Sequence, residues 1–212
     1  MRISNLQQIV IISVAIIFCF SPLLWAETKI IMLGDSLTAG YGVQPQQAYP
    51  NLVEVKLKLS TKEIRVINAG VSGSTSASAP GRVKWFLRSK PDIMILALGG
   101  NDGLRGLDPE STKQNLAKAI TLAKNNGIFV IIAGMKIPPN YGLKFTHRFE
   151  QVFGELSEEH SIPLIPFLLE GVAGDINLNL PDGIHPNSKG HIIIAELVTQ
   201  FLQPILAQFI KP

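Results

Sequence analysis

Short apolar runs alternate with amphipathic segments along most of the chain. The runs are continuously apolar, which is typical of parallel strands that are buried on both faces. The predicted strands are residues 29–33, 64–68, 92–98, 128–133 and 162–166. We therefore expect five strands of a mostly parallel sheet.

The amphipathic segments between these runs predict helices. The predicted helices are residues 50–59, about 79–88, 109–126, 147–160 and 188–209, the last with an interruption at Pro204. Asp108 followed by Pro109 is a helix start signal, Gly127 is a stop signal, and Ser188 can cap the last helix. Strands and helices in alternation favour an α/β sandwich with helices on both faces of the sheet.

The order of these elements also predicts where functional residues lie. Right-handed crossovers place the carboxyl ends of parallel strands at one edge of the sheet, and ligands bind outside that edge. No repeat or long linker divides the chain, so residues 27–212 are expected to form one domain. Candidate functional residues are therefore expected in the loops that directly follow the strands.

The first 26 residues have the layout of a secretory signal peptide. Arg2 precedes an apolar run over residues 9–20, and the small residue Ala26 stands at an expected cleavage position. An uncleaved anchor ranks second, because the run is shorter than the ~20 residues that span a bilayer. A lipoprotein site at Cys19 is a third alternative. We expect a periplasmic or secreted protein with no stable membrane insertion after cleavage.

Composition is that of an ordinary globular domain. Apolar residues make up 46% of the 212 residues and charged residues 17%, which excludes disorder as the main state. The formal net charge is only +3 and the basic residues form no run, so a nucleic-acid partner is not expected. Cys19 is the only cysteine, so the mature domain has no disulfide and depends on its core for stability.

Ser36 directly follows the first predicted strand, within the string Gly-Asp-Ser-Leu. A serine there can present its hydroxyl at the sheet edge, and the preceding glycine allows a tight turn. The alternative is that Ser36 only caps a helix that begins near Leu37. The chain lacks the GxSxG pattern of α/β-hydrolases, so a nucleophile role for Ser36 needs support from other residues.

Two further loops contain candidate hydrogen-bond donors. Gly70 and Gly73 lie in the loop after the second strand, where backbone N–H groups can face an anion. No Walker lysine and no GxGxxG pattern follow, which disfavours a nucleotide site. After the third strand, the neutral amide of Asn101 is suited to stabilise an oxyanion. A simple turn or cap formed by Asn101 or Asp102 is the alternative.

A carboxylate and a histidine precede the last predicted helix. Asp182 can accept a hydrogen bond from Nδ1 of His185 and leave Nε2 free to act as a base. A metal site is a poor alternative, because His191 lies six residues on and within the predicted helix. His147 and His160 fall in a polar helix and are expected at the surface.

The motifs resemble, in their order, the four blocks of the SGNH/GDSL hydrolase superfamily. The matching segments are GDSL, the loop that contains Gly73, GGND and DGIHPN, and the resemblance covers residues 29–206. It implies a flavodoxin-like, three-layer α/β/α sandwich with a five-stranded sheet. It also implies Ser36 as nucleophile, Asp182 and His185 as the rest of a triad, and an oxyanion hole of the Ser36 N–H, the Gly73 N–H and the Asn101 amide.

The longer strings LGDSLTAGYGV, NAGVSGSTS, LALGGNDGLRG and LPDGIHPN resemble a subgroup of bacterial periplasmic enzymes with acyl-CoA thioesterase, lysophospholipase and arylesterase activities. This resemblance implies a hydrolase of small acyl esters or thioesters that has no metal or organic cofactor. We expect a monomer. Met135, Ile137 and Tyr141 in the loop over residues 134–142 indicate an acyl-chain site, with a rigid connector as the alternative. Residues 171–180 have no interpretation from the sequence.

Two other functions stay open at this point. One is an envelope carbohydrate deacetylase of the same fold, which a preference for two-carbon acyl groups would reveal. The other is a non-catalytic envelope-binding module. A binding role would not need all of the candidate site residues, so their joint presence argues against the binding module.

Overall fold

A computed structural model describes residues 27–60 and 63–209. The predicted signal peptide lies outside the described residues. Among the residues that are described, none of the helices combines the length and apolarity that a bilayer crossing requires.

Five parallel strands form one sheet, which confirms the predicted α/β class. The strands are β1 Thr28–Gly34, β2 Ile64–Gly70, β3 Ile93–Ala97, β4 Phe129–Ala133 and β5 Leu164–Ile165. Each lies within or overlaps a predicted run. The fifth is shorter than predicted because Pro163 and Pro166 flank it and cannot donate hydrogen bonds to the sheet.

Seven helices lie in the described residues. They are α1 Ser36–Ala39, α2 Tyr49–Lys58, α3 Ala79–Phe86, α4 Gly100–Leu104, α5 Pro109–Asn125, α6 Leu143–His160 and α7 Ser188–Leu206. Helix α2 packs on α7, while α5 packs on both α3 and α6. Right-handed crossovers assign these two groups to opposite faces of the sheet, which gives three layers.

Several details differ from the predicted helices. The side chain of Asn187, rather than Ser188, caps α7 by accepting from the N–H groups of Lys189 and Gly190. Helix α7 also continues through Pro204, which lies in the last turn, where only one backbone hydrogen bond is lost. Helix α6 begins four residues before the predicted start, and the short helices α1 and α4 have too few residues to show a helical period.

The strand order β2-β1-β3-β4-β5 sets the location of the candidate site. The chain leaves β1 toward one side of the sheet to form β2, and β3 lies on the other side of β1. In open parallel sheets with this order, a crevice forms outside the carboxyl ends of β1 and β3. The loops that begin with Asp35 and Leu98 are therefore neighbours at that crevice.

Candidate active site

Ser36 is the first residue of α1, directly beyond the end of β1. The helix is capped by Asp35, whose Oδ1 accepts from the N–H of Leu37 at 3.0 Å. The alternative that Ser36 only caps this helix is therefore wrong. Instead, Ser36 Oγ lies 2.9 Å from Nε2 of His185, which is 149 residues away in the sequence.

Asp182 holds His185 from the opposite side of the imidazole ring. Its Oδ2 lies 2.8 Å from His185 Nδ1, and its Oδ1 accepts from the backbone N–H groups of Ile184 and His185 at 2.9 and 3.0 Å. The N–H of His185, followed by that of Ile184 and the imidazole, lowers the pKa of Asp182 to about 2. The carboxylate is thus ionised across the neutral range, with Ser36, His185 and Asp182 in one hydrogen-bonded line.

The phenol ring of Tyr41 also contacts His185. The two ring centroids lie 4.6 Å apart with the planes tilted by 44°. Tyr41 follows α1, and its N–H donates to the carbonyl oxygen of Ser36 at 3.0 Å. The imidazole is therefore held between a carboxylate and an aromatic face. Sequence reasoning did not identify Tyr41, because the contact joins two distant loops.

Asn101 lies near Ser36, in the first turn of α4. Its Nδ2 group donates to the carbonyl oxygen of Ser74 at 3.0 Å and to Asp35 Oδ2 at 3.3 Å. The amide thus lies between the loop after β1 and the loop after β2. Asn101 also lines the main cavity of the site.

Gly73 belongs to the same loop as Ser74, but it does not line that cavity. Its φ is +78°, which favours glycine, and its N–H has no backbone acceptor among the described residues. Arg105 Nη2 donates to the Gly73 carbonyl oxygen at 3.0 Å. The structure therefore brings the Gly73 turn next to Asn101 and leaves the Gly73 N–H without a backbone acceptor among the described residues.

Asp102 has a structural role, but it forms neither the turn nor the cap that was the alternative for this position. It is buried, and its carboxylate accepts from the N–H of Ser76 at 2.8 Å, from Ser76 Oγ at 2.5 Å and from Thr112 Oγ1 at 3.3 Å. These bonds join the loop after β2 to α4 and α5. They therefore set the position of the Gly73 turn relative to Asn101.

Sequence reasoning missed two charged residues behind the candidate site. Asp35 is 1% exposed, and burial raises its pKa to about 6. Arg82 donates to the carbonyl oxygens of Gly34, the last residue of β1, and Ala69, the second-last residue of β2. The place of Asp35 beside Ser36 was visible in the sequence, whereas nothing in the local sequence marks Arg82.

A cavity of about 590 Å³ opens beside Ser36 and His185. Its wall is mainly apolar and includes Leu104, Met135, Ile137, Phe167 and Leu169. The loop over residues 134–142 contributes Met135 and Ile137 to the wall, as expected, whereas Tyr141, which was also expected there, does not line the cavity. Residues 171–180, which had no interpretation from the sequence, also contribute Ala173, Gly174 and Asn179.

The other histidines do not join the site. His147 is exposed and His160 is half-buried, both on α6. His191 is 1% exposed on α7, and its Nδ1 accepts from the N–H of Tyr49 at 3.3 Å. Burial lowers the pKa of His191 to about 4. His191 is therefore a neutral residue of the core at neutral pH.

Comparison with known proteins identifies the family of this chain. Residues 32–193 match the model of the GDSL-like Lipase/Acylhydrolase family. The chain belongs to this family. The resemblance predicted from the sequence motifs is therefore confirmed, and so is the hydrolase class that it implied.

Relatives within the family cover most of this chain. An arylesterase of Vibrio mimicus is 35% identical over 193 residues, which are 91% of this chain and 96% of the relative. The Thioesterase 1/protease 1/lysophospholipase L1 of Escherichia coli is 34% identical and covers 85% of this chain and 86% of its own length. Both belong to the kinds of enzyme that the longer sequence strings indicated.

Solved structures show that this GDSL family member has the expected fold. The crystal structure of TesA has a TM-score of 0.81 at 36% identity and covers 84% of this chain and 99% of its own. The psychrotrophic esterase EstA from Pseudoalteromonas sp., in a structure inhibited by monoethylphosphonate, has a TM-score of 0.81 at 30% identity. It covers 85% of this chain and 99% of its own. The chain is thus a carboxylic ester or thioester hydrolase on this fold.

Proposed function

We propose that this GDSL family hydrolase cleaves acyl esters or thioesters through a Ser36–His185–Asp182 triad. The observation that carries the proposal is the line of contacts from Ser36 Oγ to His185 Nε2 at 2.9 Å and from His185 Nδ1 to Asp182 Oδ2 at 2.8 Å. A hydroxyl, an imidazole and an ionised carboxylate in this order can activate the hydroxyl for attack on a carbonyl carbon.

The reaction begins when Ser36 Oγ attacks the acyl carbonyl carbon and His185 Nε2 accepts the hydroxyl proton. Asp182 orients the ring and stabilises the imidazolium that forms. His185 then donates the proton to the leaving alcohol or thiol as the carbon–oxygen or carbon–sulfur bond breaks. Water then attacks the carbonyl carbon of the acyl-enzyme while His185 accepts its proton. His185 returns the proton to Ser36 Oγ as the acid is released.

The negative charge that develops on the carbonyl oxygen needs nearby donors. The proposed donors are the N–H groups of Ser36 and Gly73 and the Nδ2 amide of Asn101. The Ser36 N–H lies in the first turn of α1, where N–H groups lack partners within the helix. The Asn101 bond to Asp35 is long at 3.3 Å, so an oxyanion can replace Asp35 as the acceptor.

The shape and lining of the cavity favour an acyl chain over an acetyl group. A volume of about 590 Å³ lies within the range of small-molecule sites, and its wall is largely apolar. Each methylene group buried there contributes about 0.8 kcal/mol. The lysophospholipase name of one relative points to the same kind of substrate. An acyl-chain substrate is therefore proposed in preference to an acetylated carbohydrate.

Replacement of the nucleophile tests the triad. The Ser36→Ala variant is expected to lose the pre-steady-state burst with a p-nitrophenyl ester and to resist labelling by a fluorophosphonate. Ser72→Ala, in the neighbouring exposed loop, is a matched control that should keep both properties. Full esterase activity in Ser36→Ala would exclude Ser36 as the nucleophile.

An acyl-length series tests the substrate class. Esters and thioesters with acyl chains of two to twelve carbons should show kcat/KM that rises with length until the cavity is filled. Ile137→Ser, in the cavity wall, should reduce that rise while activity on the acetyl ester is retained. A maximum at two carbons, with no gain for longer chains, would favour the deacetylase.

Export and the oligomeric state are also part of the proposal. Residues 1–26 are proposed to be removed on export to the periplasm or the medium, and the mature enzyme to act as a monomer on a small acyl substrate. Mass spectrometry of the exported protein should find Glu27 at the amino terminus. An intact Met1 on membrane-bound protein would support the anchor instead.

A further inference from the structure

Large apolar side chains that face solvent are concentrated at the edge of the sheet that carries the site. Six of them form what we call the apolar rim. The rim consists of Tyr41, Val71, Leu107, Leu143, Ile176 and Ile184. Each belongs to a loop or first helical turn that follows the carboxyl end of a strand, and all five strands contribute. Parallel topology therefore gathers side chains from distant parts of the sequence at one end of the molecule.

Two rim residues lie directly at the cavity, and a third lies beside it without lining it. Ile184 lines it, and Tyr41 packs against His185. Ile176 lines a second, open hollow that shares Gly174 and Gly183 with the main cavity. The exposed apolar surface is thus continuous with the apolar wall of the proposed acyl site.

The other three rim residues are tied to the loops of the site. The N–H of Val71 donates to the carbonyl oxygen of Gly34, two residues before Ser36, and the N–H of Leu107 donates to the carbonyl oxygen of Asp102. Leu143 follows Tyr141, whose hydroxyl donates to the carbonyl oxygen of Leu104 in the cavity wall. Their main chains are therefore tied to the segments that contain Ser36, Asn101 and Leu104.

The charges on this face indicate which kind of surface it can meet. Residues 36–48 and 71–78, in the loops after β1 and β2, contain no charged side chain. In the loops after the other strands, residues 98–108, 134–142 and 166–187, two exposed residues are basic and four are acidic: Arg105 and Lys136, and Asp108, Glu170, Asp175 and Asp182. A face with large exposed apolar side chains and a small excess of negative charge is suited to a zwitterionic lipid surface, whereas an anionic surface would repel it.

We propose that the apolar rim docks the enzyme on the surface of a zwitterionic lipid aggregate, with the cavity opening toward the lipid. The rim side chains enter the boundary between headgroups and acyl chains, and an acyl ester then moves into the cavity with little exposure to water. The proposal rests on the proposed function in one respect, which is that the molecule supplied to the cavity is an acyl ester. Attachment to lipid itself requires no turnover.

Binding to phosphatidylcholine vesicles tests the docking surface. The exported, mature protein is expected to co-sediment with these vesicles, with little effect of added salt. The double variant Leu143→Ser/Ile176→Ser should bind about tenfold more weakly for each side chain removed. Leu59→Ser is the matched control, because Leu59 is as exposed at 86% as Ile176 at 87% but follows α2, outside the rim.

Turnover of two substrates separates docking from chemistry. The double variant should keep wild-type kcat/KM on a monomeric, water-soluble p-nitrophenyl ester and lose rate only on micellar lysophosphatidylcholine. Equal vesicle binding by the double variant and the wild type would overturn the docking proposal. Attachment that requires anionic lipid and disappears in salt would also overturn it, as would a dimer formed through this face with no vesicle binding. Loss of rate on both substrates would also overturn the proposal, because the two side chains would then affect the chemical step.

Discussion

Nδ2 of Asn101 donates a hydrogen bond to Oδ2 of Asp35 at 3.3 Å, so the proposed oxyanion donor contacts a buried acid. Asp35 also caps α1, whose first residue is Ser36. One carboxylate thus joins the helix that presents the nucleophile to the amide that is proposed to stabilise the oxyanion. Electrostatics around the reaction centre therefore depend on Asp35, which also lines the cavity.

Loss of the Asn101 amide is expected to slow the chemical step. In Asn101→Ala, kcat should fall by roughly 10²–10³ with little change in KM, because the donor acts mainly on the transition state. Steady-state kinetics on a p-nitrophenyl ester measure this. Asn115→Ala is the control, since Asn115 donates to Ser76 Oγ behind the same loop without lining the cavity. A similar loss of kcat in both variants would indicate a general loss of structure.

Asp35 is expected to make the folded state less stable as the pH rises. Its carboxyl ionises near the ordinary pKa of 3.8 in the unfolded chain but at about 6 in the folded one, because burial disfavours the charge. The native state therefore loses stability from about pH 4 until the pH exceeds 6, by roughly 3 kcal/mol in total. In Asp35→Asn this loss should be absent. Urea unfolding at pH 4 and pH 7.5 measures the free energy of unfolding of both proteins. If the difference between wild type and variant is the same at both pH values, the prediction is wrong.

His191 is expected to have the opposite effect. The unfolded chain binds a proton at this residue near pH 6.5, whereas burial delays protonation of the folded state to about pH 4. Its contribution to stability is therefore complete above pH 6.5 and is lost as the pH falls toward 4, by roughly 3 kcal/mol. His191→Gln should unfold with a weaker pH dependence in this range. His147→Gln, at an exposed position, should follow the wild type, and identical acid unfolding of all three proteins would refute the assignment.

Gly70 is expected to tolerate no side chain. A Cβ atom there would lie 2.1 Å from the backbone nitrogen of Ala39 in α1, the helix that starts with Ser36. Gly70→Ala should therefore cost about 2 kcal/mol or more of stability and reduce kcat by displacing Ser36. Gly81→Ala makes the same chemical change in α3 with no atom within 4 Å, and it should stabilise by about 0.5–1 kcal/mol. Thermal unfolding and kcat of both variants measure the contrast.

Much of the fold was predictable because its signals are local. Continuous apolar runs such as residues 29–33 are needed wherever a strand is buried on both faces, and Ile30 to Leu33 are all fully buried. Asp108 caps α5 as predicted, since a capping side chain bonds to N–H groups only two or three residues away. The loops of the candidate site could be located in the same way, from their positions after the strands.

Short or irregular elements were not predictable in this way. Helices α1 and α4 have four and five residues, which is too few to produce a periodic pattern. The cap of α7 was assigned to Ser188 instead of Asn187, because both residue types are good caps and only the backbone conformation distinguishes them.

By itself, the sequence determined the α/β class, the number of strands, the family and the candidate residues Ser36, Asp182 and His185. Each of these depends on residue types within short segments and on the order of those segments along the chain. Only the tertiary structure decided that β1 lies between β2 and β3, that Arg82 holds the ends of β1 and β2, and that exposed apolar side chains meet around the cavity. Those relationships join residues far apart in the chain, and packing of the whole domain brings them together.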